Sequence, residues 1–262
     1  MSGIMQMIKM EALREFEVRT KYKVQFLSSI AIYTVTYLIV IYIASSPTMA
    51  AYYHTSVTTG KVLILIGYLY WNAGVLGMDA ASDAIESDAK AGILESELQS
   101  PHPLWLLIIV RSGVNNILGI FYFLVIISLS SFSIKLTLLK ALVLVVQLFL
   151  ISMLSNIGMS GIGFVFGAVS VHVKRVGQWA TIIQTALLLI GNITIPLFSP
   201  LQNIIPFVSG IEISRLIYLQ HSIPLNLILI YIAVNFIWLI IGVCIFQYSI
   251  KYEKTNGSFE VF

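Results

Sequence analysis

The stretch VQFLSSIAIYTVTYLIVIYIA, Val24 to Ala44, runs for 21 residues without a charged side chain. A buried strand of a soluble α/β domain ends after roughly 4–8 residues. A bilayer about 30 Å thick instead takes some 20 apolar residues of helix. Val24–Ala44 therefore reads as a membrane-spanning helix. Working outward, a second span covers about Val62 to Met78, and a third covers Leu104 to Leu129 with Arg111 near its start. A fourth lies within Leu136 to Val171, which exceeds what a bilayer needs and must tilt or project. The fifth and sixth are about Trp179 to Phe198 and Leu225 to Ser249. The expectation is an all-α membrane protein with six transmembrane helices.

Composition supports this. Of 262 residues, 58% are hydrophobic and 10% charged, against about 25% charged in soluble domains, and the mean hydropathy is +0.92. The single cysteine, Cys244, excludes a disulfide or a cysteine metal cluster within one chain. The first apolar run continues for a full span, so no cleavable signal peptide is expected and residues 1–262 read as one mature chain.

Charge sets the expected orientation. Ten of the 15 Lys and Arg residues fall in the N-terminal arm, the stretch after span two, the Lys174-Arg175 turn and the tail. The opposite side holds Lys61, Lys135, Lys140 and Arg215. The positive-inside rule thus puts both termini in the cytoplasm of a multi-pass protein of the cell membrane. Residues 1–23 read as an interfacial helix with Glu11–Arg14 and Glu17–Lys21 at pairing distance along it. Ala12, Leu13, Phe16 and Thr20 share one side, with Glu11, Arg14 and Glu15 away from it; a mobile basic arm is the alternative.

Between spans two and three lies an acidic stretch, Asp79 to His102. It holds Asp79, Asp83, Glu86, Asp88, Glu95 and Glu97 against one Lys90 and ends in Ser100-Pro101-His102-Pro103. Proline stops a helix, so the stretch reads as a helical, water-exposed element touched by something outside the membrane.

Several chemistries are excluded. There is no phosphate-cradling G-x-x-x-x-G-K-[ST], and Gly60-Lys61 lacks both the earlier glycine and the following hydroxyl. The histidines, His54, His102, His172 and His221, are too scattered for a metal site. Aromatic residues lie in the spans without a basic groove, which argues against nucleic acid. No catalytic residue, metal ligand or bound cofactor is expected in this chain. The clear span interiors carry no Asp or Glu, which disfavours proton coupling by this chain alone.

Four further features each admit a bland and a functional reading. Arg111 is either an anchor reaching the inner headgroups or a conformational or subunit contact. The small-residue run with Gly161, Gly163 and Gly167 serves helix packing, or a gate or subunit interface. After span five, Pro196, Pro200 and Pro206 break an apolar sequence, so Leu201 to Leu219 reads as short re-entrant or surface helices with Glu212 and Arg215 set for pairing at i,i+3. Pro196, Pro206, Glu212 and Arg215 then shape either a structured outer loop or an exit lip. Tyr33, Tyr37, Trp71 and other aromatics line a cargo route or serve as packing and belt anchors.

Taken in order, these pieces resemble the membrane subunit of ABC-2 type ABC transporters. The resemblance rests on Glu11-Ala12-Leu13-Arg14-Glu15-Phe16 before span one, Ala91-Gly92-Ile93-Leu94-Glu95-Ser96-Glu97-Leu98-Gln99-Ser100-Pro101 after span two, Ser160-Gly161-Ile162-Gly163-Phe164 continuing to Lys174-Arg175, and Gly191-Asn192-Ile193-Thr194-Ile195-Pro196-Leu197. It implies a coupling helix in the cleft of an ATP-binding subunit, with Lys90, Gly92, Ile93, Leu94, Glu95 and Glu97 as its coupling residues. Where that family often has Gly-Thr-Leu-Glu, this chain has Gly92-Ile93-Leu94-Glu95.

The resemblance further implies residues 24–249 as one transmembrane domain, with 79–103 as coupling region and 199–223 as outer segment, and 250–262 as a cytoplasmic tail. It implies a separate pair of ATPase subunits carrying ATP and Mg, a second six-span subunit, identical or homologous, and a surround of membrane lipids. The implied activity is export of an amphipathic small molecule, peptide or lipid. Export of polysaccharide-lipid conjugates or ions, an ion-coupled carrier, and a non-transporting immunity or membrane-organising protein are the alternatives.

Overall fold

A computed structural model of the chain describes residues 2–90, 92–134, 137–172, 177–196 and 199–256, and among these every regular element is a helix. They are α1 (Ser2–Lys21), α2 (Lys23–Ile43), α3 (Ser46–Tyr52), α4 (Val57–Ser82), α5 (Ala84–Lys90), α6 (Leu94–Leu98), α7 (Leu104–Leu118), α8 (Ile120–Ile134), α9 (Leu138–His172), α10 (Gly177–Ile190), α11 (Val208–Tyr218) and α12 (Leu225–Asn256), with a short 3-10 helix at Pro200–Ile204.

Five segments among the described residues are long and apolar enough to cross a membrane: Phe26–Ile43, Val57–Ser82, Leu104–Ser131, Leu138–Val171 and Leu225–Thr255. The outer faces of the bundle are apolar, with Leu27, Val35 and Leu38 on α2 and Leu229, Phe236 and Ile240 on α12 all exposed. Water-facing surfaces do not carry such continuous apolar area, so the chain is a multi-pass, all-α membrane protein. The expected span boundaries hold to within a few residues for the first and fourth spans, while the helix of the sixth starts at Leu225 as expected and runs on past Ser249 to Asn256.

α4 is the axis of the bundle, buried from Val62 to Met78. Against it lie α2, α3, α7, α8, α9, α10 and α11, and α9 is sandwiched between α4 and α12. The sandwich depends on backbone contact. A Cβ at Gly161 would run into the Trp238 carbonyl of α12, one at Gly163 into the Met78 carbonyl of α4, and one at Gly167 would come within 2.8 Å of Ala81 O. In a lipid setting, where apolar burial no longer separates helix from tail, such close approach and interhelical hydrogen bonds supply the cohesion. Asn156 Nδ2 donates to Ala73 O at 2.9 Å, and Ser112 Oγ donates to Asn156 Oδ1 at 2.8 Å, tying α7, α9 and α4 together.

Two segments depart from expectation. The third span is broken at Gly119, between α7 and α8, where a Cβ would meet Leu76 Cδ1 of α4 at 2.6 Å. The expected fifth span, Trp179 to Phe198, is a helix only to Ile190 and is too short to cross by itself. Asn192 there takes φ 62°, a left-handed conformation that ends a helix. The freed backbone finds partners inside the protein: Gln202 Nε2 donates to Ile190 O at 2.7 Å, and Arg215 Nη2 to Ile193 O at 3.2 Å. That satisfaction is what permits irregular chain at such a depth. Lys174 and Arg175 lie outside the described residues.

Candidate functional site

α1, α5 and α6 gather at one end of the bundle, the charged end. The expected water-exposed acidic stretch is here turned inward. Arg111 on α7, with 7% of its side chain exposed, donates from Nη1 to Asp88 Oδ2 at 2.8 Å, from Nε to Glu11 Oε2 at 2.9 Å, and from Nη2 to Glu97 Oε1. Arg14 on α1 joins the same acids, with Nη1 3.0 Å from Glu97 Oε1 and Nη2 3.3 Å from Asp88 Oδ1. One cluster therefore ties together the arm, both short helices and α7. An arginine fork is suited to this, since its donors lie in fixed directions and keep their charge.

Three carboxylates face two guanidinium groups in the cluster, leaving one negative charge in excess. Glu97 feels this most: burial, and next the hydrogen bond it shares with Asp88, raise its carboxyl above its ordinary value, while Arg111 pulls the other way. Its Oε2 is buried and accepts from no donor among the described residues. Burial likewise raises Asp83, opposed by the Ser82 hydroxyl.

The remaining coupling candidates divide by exposure. Leu94 is buried in a small core with Ile85, Leu104, Ile108, Phe164 and Phe246, so it packs the end of the bundle rather than facing outward. Lys90 is exposed and pairs with Glu86 at 2.6 Å. Gly92 is exposed with φ 68°, a conformation that favours glycine, and a Cβ there would meet nothing. Ile93 is half-buried, its N–H bonded to Asp88 O at 3.0 Å. The Glu95 side chain lies outside what the structure describes.

At the opposite end, Arg215 on α11 is fully buried. It donates from Nε to Leu63 O at 3.0 Å and from Nη1 to Asn192 Oδ1 at 2.8 Å. Tyr53, just after α3, donates its hydroxyl to Glu212 Oε2 and lies 3.5 Å from Arg215 Nη1. Asn192 Nδ2 reaches Glu212 Oε2 at 3.5 Å. Glu212 and Arg215 are thus joined through Tyr53 and Asn192. Burial raises the Tyr53 phenol well above its ordinary value, so it remains a donor. Pro206 is buried and its carbonyl accepts from Asn235 Nδ2 at 3.0 Å; Pro196 is buried beside the irregular segment.

A groove runs between α2 and α10 with α4 as its floor, and its cavity is about 620 Å³. Asp79 lines it, accepting from Gln184 Nε2, and Trp71 Nε1 fixes Gln184 by donating to its carbonyl at 2.9 Å. Asp79, Ser29 and Tyr33 also line a second cavity of about 260 Å³ that reaches α1 at Glu15 and Val18.

Sequence reading grouped Asp79 with the acidic stretch. The available signal was spacing: Tyr68, Trp71, Val75 and Asp79 recur at three to four residues and share one face of α4. Glu11 and Arg14 were legible as a local pair, but not as partners of Arg111. No family model matches the chain, and no curated protein matches it at a significant level.

Proposed function

We propose that the chain is the permease subunit of an ATP-driven exporter of the ABC-2 type, moving an amphipathic small molecule, peptide or lipid out of the cytoplasm or inner leaflet. The observation that carries this reading is the charged end. Two short helices locked to α7 by a five-membered ion cluster form a rigid block, and a rigid block joined to a spanning helix is what a push from outside the membrane requires.

In this reading the charged end is cytoplasmic, α1 lies along the inner interface, and α10 with the residues after it counts as the fifth of six crossings. Leu13 and Phe16 on the outward side of α1 support the interfacial placement, since they are exposed while Glu11 and Arg14 turn to the protein. An ATPase pair, carrying ATP and Mg, docks on Lys90, Gly92, Ile93 and Ser96, the outward part of the α5–α6 block. Leu94 and Glu97 act from within, holding that block in shape. A second permease subunit completes the complex, and the end built on Arg215 forms the outer lip.

The test is reconstitution. The chain, co-purified with its ATPase and placed in vesicles, is expected to move a fluorescent amphiphile only with ATP and to stop with vanadate. Movement driven by a proton or sodium gradient without ATP sinks the assignment.

A further inference from the structure

We propose that the groove between α2 and α10 binds a singly charged cationic amphiphile, with its ammonium head on Asp79 and its apolar body along Ile39, Trp71, Val75 and Leu188. This deepens the exporter reading and rests on it for the meaning of the site, though binding itself needs no ATPase.

Three observations converge. The cavity, about 620 Å³, falls in the size range of small-molecule sites, roughly 300–1,000 Å³. Its walls are apolar except for a few placed polar groups, and among the described residues the one charged side chain lining it is Asp79. From Ser29 to Ile43, α2 lines it over 14 residue steps, about 21 Å at the helical rise, long enough to lay an extended hydrocarbon body beside it.

Charge decides the head. Neither this groove nor the adjoining cavity is lined by a lysine or arginine among the described residues, and the second cavity adds another carboxylate, Glu15. Gln184 gives Asp79 one hydrogen bond but no charge. An anionic head would meet a like charge and no counterion, whereas an ammonium supplies both the missing charge and further donors. Because Asp79, Ser29 and Tyr33 belong to both cavities, the carboxylate stands where they adjoin. A cation arriving along α1 meets Glu15 first and Asp79 next.

The test uses the purified permease alone, in phosphatidylcholine nanodiscs, with dansyl probes on one undecyl chain ending in ammonium, methyl or carboxylate. Binding is read by the change in dansyl emission on titration, with protein-free nanodiscs as the background. The ammonium probe is expected to bind saturably and at least tenfold more tightly than the carboxylate probe. Asp79→Asn removes that preference and leaves the methyl probe unchanged; Asp79→Glu keeps it; Thr185→Trp, which fills the groove, weakens all three. Equal affinity for the ammonium and carboxylate probes, or an ammonium preference that survives Asp79→Asn in protein with wild-type melting, overturns the proposal. If ATP-driven export is observed but the probes show no head preference, the exporter reading stands and the site falls; if the preference is observed without an ATPase partner, the reverse holds.

Discussion

Arg111 and Asp88, 23 residues apart in the chain, meet at 2.8 Å with both side chains almost wholly excluded from solvent. Taking Arg111 away leaves Asp88, Glu11 and Glu97 to share Arg14 alone. Arg111→Ala is expected to lower stability by about 3–5 kcal/mol, as for other buried pairs that lose one partner, seen as a large drop in melting temperature. Arg111→Lys keeps the charge but loses the fork and is expected to fall between. A wild-type melting temperature for Arg111→Ala contradicts the cluster.

Glu97 sets a pH dependence. An acid whose folded carboxyl titrates above its ordinary value, 4.5 for glutamate, stabilises the fold while protonated. That contribution is fully present below the ordinary value and is lost as pH rises through the raised one. Melting temperature is therefore expected to decline over that interval in wild type and to decline less in Glu97→Gln. An equal slope in both shows that the excess charge resides elsewhere.

Tyr53 bridges Glu212 and Arg215 by one hydroxyl. Tyr53→Phe leaves the ring and removes the bridge, with an expected loss of about 1–3 kcal/mol, because, among the described residues, Glu212 then keeps only the 3.5 Å contact with Asn192 Nδ2. Thermal unfolding of purified protein measures it, and Glu212→Gln in the Tyr53→Phe background is expected to recover part of the loss.

Asn72 sits fully buried in α4 with neither amide atom bonded to a partner among the described residues. Replacing an orphaned polar group by an apolar one of the same branching removes the desolvation cost. Asn72→Leu is expected to raise the melting temperature. A fall would mean that the amide is engaged, by water or by a second conformation of α4.

Much of this architecture was legible along the chain because a membrane span is a local property: Val24–Ala44 needs no neighbour to be read. The end of α10 was not, since Asn192, left-handed just past the helix, is held there by Arg215 and Glu212, about twenty residues later. Arg111 was similarly opaque. Its depth in the third apolar run marked it as costly, but its partners lie 100, 23 and 14 residues away, and only the fold brings them together. Leu94, read as part of an outward-facing contact, is buried in one cluster with Phe164 and Phe246 from distant helices. A substitution there tests folding before docking, so Ile93 and Lys90 are the informative positions.

The central claim, that the α5–α6 block receives the push of an ATPase, is tested most directly by ATP hydrolysis of the co-purified complex with Ile93→Asp and Lys90→Glu together. The account predicts that the doubly substituted permease melts as wild type does, yet loses its ATPase partner or its vanadate-sensitive, cargo-stimulated hydrolysis. Stable association with undiminished cargo-stimulated hydrolysis and transport would contradict it.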